Sequence, residues 1–385
     1  MTELLFTLIF WLSLGLMLHT YVLYPLTLRI LPTRFKTPPI DGNYLPSIAV
    51  LIPAYNERTV IAEKIKNSLG LAYPSDKIEI LIGSDGSTDE TDQIVNNFAD
   101  PRIRLIRFEG RNGKPCILNT LVSQTQADIL LLTDANVMIS SSDLRQFVRH
   151  FQDETVTAVG AAKEIVIRGS GDAVGKGEHT YHRRMTDIKR REAEVGGFSG
   201  LTGAAYAMLR RDWRPLPLVA MNDDIVSLYP AILRGKRVAY EPEIVAVENS
   251  GETVSEEFHR RIRIGVSNFR TLLLCRELLS PSRPIVAYTF FSNKVIHWFF
   301  PLLMLCALAT NAIIAVNSDF YKALLGMQLL GYGVAALGGL AALVGIRLPF
   351  FYQIFSFVAI MFAFLIGGVK FIRGSASSVW ERSAR

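Results

Sequence analysis

The sequence predicts an α/β domain, built on a mostly parallel sheet with helices on both faces and flanked by transmembrane α-helices. Three observations predict it. Apolar residues crowd the first thirty and the last hundred positions, while the middle has ordinary charge content. In the middle, short apolar runs alternate with helical segments, which argues for crossover connections and parallel pairing. Polar clusters follow directly on three of those runs, at the strand ends where sheets of this kind bind ligands.

The chain has 385 residues, enough for one large domain plus membrane segments or for two domains. Its net charge of +6 is modest. The basic clusters Arg183-Arg184, Lys189-Arg190-Arg191, Arg210-Arg211 and Arg260-Arg261-Ile262-Arg263 come with no nucleic-acid module and no interleaved aromatics. Nucleic acid is therefore not an expected partner, and membrane lipid headgroups and a diphosphate ligand are. Cys116, Cys275 and Cys306 lie far apart without CxxC spacing, which fits a reduced compartment and no structural disulfide.

Leu4 to Leu31 is nearly all apolar and long enough to cross a bilayer. It is too long for a signal peptide and no basic segment precedes it. Only Glu3 stands before it, whereas Arg29, Arg34 and Lys36 stand at its end or after, so the following domain is expected in the cytoplasm. Pro32, Pro38, Pro39 and Pro46 mark a linker. Ser47 to Pro53 reads as a buried strand, and Thr59 to Leu69 as a helix. Ile78 to Gly83 is the second strand, followed by a helix over Thr88 to Phe98. Ile103 to Arg107 is the third strand, Cys116 to Ser123 a helix, and Ile129 to Thr133 the fourth strand. Ser255 to Leu279 is helical with charged and apolar faces and suits the membrane surface.

Val295 to Val316, Ala323 to Val344 and Phe350 to Phe371 each read as a membrane span. One span before the domain and three after it put both termini on one side, yet Lys370, Arg373, Arg382 and Arg385 make a basic tail that prefers the inside. Either one apolar segment does not cross, or Pro284 to Phe291 adds a partial crossing. The expected organisation is a membrane helix over 1–35, the α/β domain over 45–250, interfacial helices with an Arg-rich motif over 251–291, membrane helices over 292–372 and a basic tail over 373–385.

The chemistry-bearing residues gather at strand ends. The first strand ends in Pro53-Ala54-Tyr55-Asn56-Glu57, the second in Ser84-Asp85-Gly86-Ser87-Thr88-Asp89 and the fourth in Thr133-Asp134-Ala135-Asn136. A lone acid after a strand is more often a helix-start residue, as Asp89 is expected to be. Three clusters in this order point instead to one polar edge. Asn222-Asp223-Asp224 has two adjacent carboxylates, which suits a base and its support; an N-cap ahead of a helix over Ile225 to Leu233 is the plainer role. Gly200-Leu201-Thr202-Gly203 allows close backbone approach, either to a ligand or to another helix. His179 and His182 have HxxH spacing with no further ligands around them, so they read as ordinary histidines on a helix shaped also by Glu178 and Tyr181.

These motifs resemble the membrane-bound family 2 glycosyltransferases of GT-A fold, the group that includes hyaluronan, chitin and cellulose synthases and bacterial exopolysaccharide enzymes. The resemblance covers Pro46 to Arg270 by motif. It implies a UDP-sugar donor held by Pro53, Ala54, Tyr55, Glu57, Asp85, Lys114 and Asp134, with Mg2+ or Mn2+ on Asp134. Lys114 stands in a segment, Arg111 to Asn119, that is similar to the family's GK…LN stretch. Gly200, Thr202 and Gly203 match the stretch near the acceptor. Asp224 matches the catalytic base and Asp223 its support. Arg260-Arg261-Ile262-Arg263-Ile264 matches QxxRW, with Arg263 for the arginine and Arg260 in the glutamine place, both facing donor diphosphate.

The chain departs from the family pattern at several positions. Ser84 replaces the first of a paired aspartate, and Asn136 replaces the second metal aspartate, leaving a neutral oxygen as secondary ligand. Ile264 replaces the tryptophan, which weighs against a long-chain processive polymerase.

The implied activity is inverting transfer to a glycan or lipid-linked acceptor, in surface polysaccharide or glycolipid synthesis at a bacterial-type inner membrane. A polyprenyl-phosphate sugar transferase, a nucleotidyltransferase, and a non-catalytic membrane protein that binds or transports sugar nucleotides are the alternatives. The last is disfavoured because the C-terminal spans carry few intramembrane charges, with Lys294 and His297 at one end only.

Overall fold

The computed structural model describes residues 2–140, 143–167, 172–250, 254–344 and 348–374. The chain divides into two units. One comprises 1–30, 252–270 and 291–376, the other 31–251, 271–290 and 377–385.

The second unit is built on one eight-stranded sheet of order β3-β2-β1-β4-β7-β6-β8-β5. Its first half follows the apolar runs. β1 (Ile48–Ala54) and β4 (Ile129–Thr133) are buried at every position, as is β2 (Ile78–Asp85) at nearly every one. Runs without alternation are what a parallel strand covered on both faces requires. β1 pairs in parallel with both β2 and β4, Ile48 lying opposite Ile78 and Ile129. β3 (Ile103–Phe108) closes the edge in parallel with β2, and Arg104 and Arg107 are exposed on it. Charge on an edge strand discourages pairing with a further chain.

The second half mixes directions. β7 (Ala205–Leu209) runs antiparallel to β4, and β6 (Val156–Ile167) antiparallel to β7. β8 (Arg237–Ser250) is parallel to β6, and short β5 (Val137–Ile139) is antiparallel to β8. The core lies where Val50, Ile52, Ile80, Ile82 and Leu131 of the sheet meet Ile61 and Ile65 of the helix Ile61–Leu69. Truncating one of these to alanine is expected to cost about 2–5 kcal/mol.

Among the described residues, four helices are long and apolar enough to cross a membrane: Thr2–Ile30, Pro284–Asn317, Asp319–Leu343 and Phe350–Ile372. The second starts before the predicted Val295, so Pro284 to Phe291 prolongs one helix instead of making a separate crossing. Phe10 packs with Ala307 and Ile314, and Phe300 with Met361 and Phe364. The helix Val254–Leu274 approaches the last span at glycines: a Cβ on Gly367 would lie 2.6 Å from the Ile262 carbonyl oxygen. It carries Arg260 and Arg263, which therefore belong to the helical unit. His179, His182, Glu178 and Tyr181 stand outside the residues whose side chains are described, and so does most of the basic tail.

Candidate active site

Register decides what arrives at the carboxyl edge. Ala54 of β1 lies opposite Ser84 of β2, so the segments after the two strands leave the sheet side by side. Asn56 ties them together: its N–H donates to Ser87 Oγ at 3.1 Å, and its Oδ1 accepts the Thr88 N–H at 2.8 Å. Glu57 is buried, and its N–H donates to Thr91 Oγ1 at 2.8 Å. Asp89 accepts from the Thr91 N–H at 3.0 Å, just ahead of the helix Thr91–Asn96. That is the local helix-start contact its position suggested.

Asp85 ends β2 and is buried. Its Oδ1 accepts the Asn112 N–H at 2.6 Å, and its Oδ2 accepts the Gly113 N–H at 3.0 Å and Arg111 Nε at 3.3 Å. The 110–113 loop is thus folded onto the carboxylate. Gly86 makes the approach feasible, because a Cβ there would stand 2.4 Å from the Gly110 carbonyl oxygen. The Arg111 guanidinium lies 3.3 Å from the centroid of the Tyr55 ring, a cation–π contact.

The next residue in that loop is Lys114. Its Nζ donates to Asp134 Oδ1 at 2.8 Å and to Asp223 Oδ1 at 3.2 Å. One ammonium therefore joins the carboxylate after β4 to the one opening the short helix Asp223–Val226. Burial alone would lower the Lys114 pKa, but the two carboxylates outweigh it and hold the pKa above the ordinary lysine value. Burial, with the negative charge of Asp134, pushes Asp223 above the usual carboxylate range in spite of Lys114. Asp223 Oδ2 is buried and has no hydrogen-bond partner.

Asp224 stands beside the glycine loop. Gly200 has φ +91°, and a Cβ on it would come 3.1 Å from Asp224 Oδ2 and 2.6 Å from Ile225 Cγ1. A Cβ on Gly203 would lie 3.9 Å from Asp224 Oδ1. Buried Lys189 braces the loop, donating to Ser199 Oγ at 2.6 Å and to the Gly200 carbonyl at 2.8 Å.

Lys114 thus joins Asp134 to Asp223, Asp85 holds the loop that leads into Lys114, Tyr55 lies under Arg111 of that loop, and Asp224, next in sequence to Asp223, lies beside Gly200 and Gly203. Pro53 and Ala54 are within β1, and Asn136 turns its Nδ2 to Glu248 Oε1 at 3.2 Å. Glu248, which also pairs with Lys163 at 2.5 Å, went unread in the sequence. So did Arg111 as the partner of Tyr55 and Asp85. Lys64, fully buried behind Asp134, was missed as well, although a lysine on an apolar helix face is a readable anomaly.

Residues 49–214 match the family model described as glycosyl transferase family 2. Asp223 and Asp224 lie beyond that match. A β-monoglucosyldiacylglycerol synthase of Nostoc sp. is 33% identical over 176 residues, 45% of this chain and 37% of the relative. A poly-β-1,6-N-acetyl-D-glucosamine synthase of Staphylococcus aureus is 23% identical over 244 residues, 62% of this chain and 58% of the relative. The chain therefore spans less than two thirds of the length of these curated relatives. Among solved structures, a mannosyltransferase from Pyrobaculum calidifontis, in complex with GDP-Man and Mn2+, is similar with a TM-score of 0.73 and 20% identity. That likeness covers 96% of this chain and 100% of the other. Strand order and the likeness to the mannosyltransferase agree on the GT-A fold, and within it residues 49–214 form a domain that matches glycosyl transferase family 2.

Proposed function

We propose that the protein is an inverting glycosyltransferase that moves a sugar from a UDP-sugar to a hydroxyl of a glycan or lipid-linked acceptor. The observation that carries this reading is the Lys114 ammonium lodged between Asp134 and Asp223, next to the loop on Asp85. Two carboxylates lie within 3.2 Å of a lysine suited to a phosphate, and the next residue in the chain, Asp224, stands against the glycine loop.

The residues fit Mg2+ or Mn2+. A buried carboxylate oxygen without a partner, on Asp223, marks a place short of positive charge. Asp134 would hold the ion, with Asn136 as a neutral secondary donor. Among the described residues no three His, Cys, Asp or Glu side chains form a metal-holding group, so diphosphate and water oxygens would complete the coordination. Affinity without nucleotide is then weak. When bound, the ion offsets charge on the departing diphosphate.

The chain's own residues supply the rest. Lys114 shifts its ammonium from the carboxylates to the diphosphate, as a point charge on a flexible stem. Asp224 takes the proton of the acceptor hydroxyl while the hydroxyl oxygen attacks the anomeric carbon opposite the leaving group, giving a β-linkage. The glycines at 200 and 203 leave room for that hydroxyl beside the carboxylate. The similar mannosyltransferase holds GDP-Man, so guanosine diphosphate sugars form the second donor class. The glycolipid and polysaccharide synthases among the relatives support both acceptor classes.

Membranes carrying the protein are to be given radiolabelled UDP- and GDP-sugars, with product sizing and assay of released nucleoside diphosphate. Asp224→Asn is expected to lower turnover by about 10²–10⁴-fold while nucleotide binding persists. Retained turnover removes Asp224 from the role of base.

A further inference from the structure

The helix Ile61–Leu69 turns Ile61, Lys64, Ile65 and Ser68 to the sheet. Their spacing is that of an ordinary apolar stripe, but Lys64 places an amine in it at 0% exposure. A methionine would fill the same space without desolvating an ammonium.

Both of the lysine's hydrogen bonds go to one feature. Nζ donates to Thr133 Oγ1 at 2.9 Å and to the Val137 carbonyl at 2.6 Å. Thr133 is the last residue of β4 and Val137 the first of β5, and only Asp134, Ala135 and Asn136 lie between. One helical turn on, Asn67 Nδ2 donates to the Ile139 carbonyl at 2.9 Å, and its Oδ1 accepts the Ile139 N–H at 2.9 Å. A single helix face thus grips both ends of the turn that carries Asp134, while Asp134 itself is reached from outside by Lys114.

We propose that Lys64, assisted by Asn67, is a positioning residue that pins the Asp134–Asn136 turn and so presents the Asp134 carboxylate preformed to a cation–diphosphate group. The proposal rests on the reading of Asp134 given above. Partners that orient a ligating group matter because a carboxylate free to swing must be ordered at the moment of binding.

The test uses the purified full chain as wild type, Lys64→Met and Asn67→Ala. Amide exchange over 133–139 is followed without metal or nucleotide, and Mn2+ binding is titrated in the presence of UDP and, separately, GDP. Lys64→Met is expected to speed exchange over the segment roughly tenfold or more. It should also weaken Mn2+ binding by about 10–100-fold. Asn67→Ala, which keeps the charge, should act in the same direction to a smaller degree. By charge alone, losing an ammonium near Asp134 would strengthen a cation's binding. Mn2+ binding equal to or tighter than wild type in Lys64→Met, or exchange unchanged in both variants, therefore overturns the proposal. Should Lys64→Met fail to fold, Asn67→Ala decides on the same two readouts. If wild type takes up no Mn2+ with either nucleotide, the metal reading fails, and the exchange measurement still decides whether Lys64 pins the turn.

Discussion

Asp85 and Asp134 leave strands on either side of β1, yet their carboxylates are held by opposite means. Asp85 meets a guanidinium and two backbone N–H groups, and the N–H groups cannot leave unless the 110–113 loop moves with them. Asp134 meets an ammonium on a flexible stem, shared with a second carboxylate whose other oxygen is unsatisfied. The Asp85 side chain is 6% exposed and that of Asp134 31%. Fixed donors around a buried acceptor need no reorganisation when a ligand arrives. A lysine bridge can be exchanged for another cation. On the proposed function, the nucleoside side is built in advance, and the diphosphate side holds an internal cation that must step aside.

The largest expected effect tests the first half of that contrast. Asp85→Ala strands the Asn112 and Gly113 N–H groups, and unfolding in detergent should show a loss of about 3 kcal/mol. A loss under about 1 kcal/mol would mean the loop is anchored elsewhere and the nucleoside side is not preformed. Lys114→Met tests the second half. With its competitor gone, Mn2+ in the absence of nucleotide should bind about tenfold tighter than to wild type, or about 1.4 kcal/mol. Mn2+-dependent thermal shift measures this, and an unchanged affinity would show that Lys114 does not compete for the site.

The same contrast explains what the sequence made legible. β1, β2, β3 and β4 were readable because they are short apolar runs bounded by turn residues, and their acidic ends followed from strand polarity. β5 to β8 were not assigned, since the antiparallel β4–β7 and the parallel β6–β8 pairings join residues far apart in the chain. Local propensity carries little of such long-range pairing. At the site, Asp85 was expected as a donor ligand, but that its first partners are the Asn112 and Gly113 N–H groups depends on loop geometry with no local signature. The bridge from Lys114 to Asp223 spans 109 positions and became visible only in the folded chain. Lys64 is different: its place on an apolar helix face was open to inspection, and the stripe's regularity concealed it.

The smallest expected effect turns on its sign. Burial, reinforced by Asp134, makes the folded state hold a proton on Asp223 more readily than the unfolded chain does. Between the unfolded value, near 4, and the higher folded one, the native state binds more protons, so this residue's contribution to stability is full at low pH and lost as pH rises through the folded pKa. Glu241 goes the other way. Burial opposes its ionisation, but His150 and Arg149 overcome that and hold it low, so its contribution is lost as pH falls. Subtracting Asp223→Asn from wild type isolates the first trend from the second. The difference in unfolding free energy should decline from pH ~4 upward, by at most about 1.4 kcal/mol per unit. A flat or rising difference would mean that Lys114 outweighs burial, that Asp223 is ionised throughout, and that the site is a closed ion pair with no deficit of positive charge for a metal to fill.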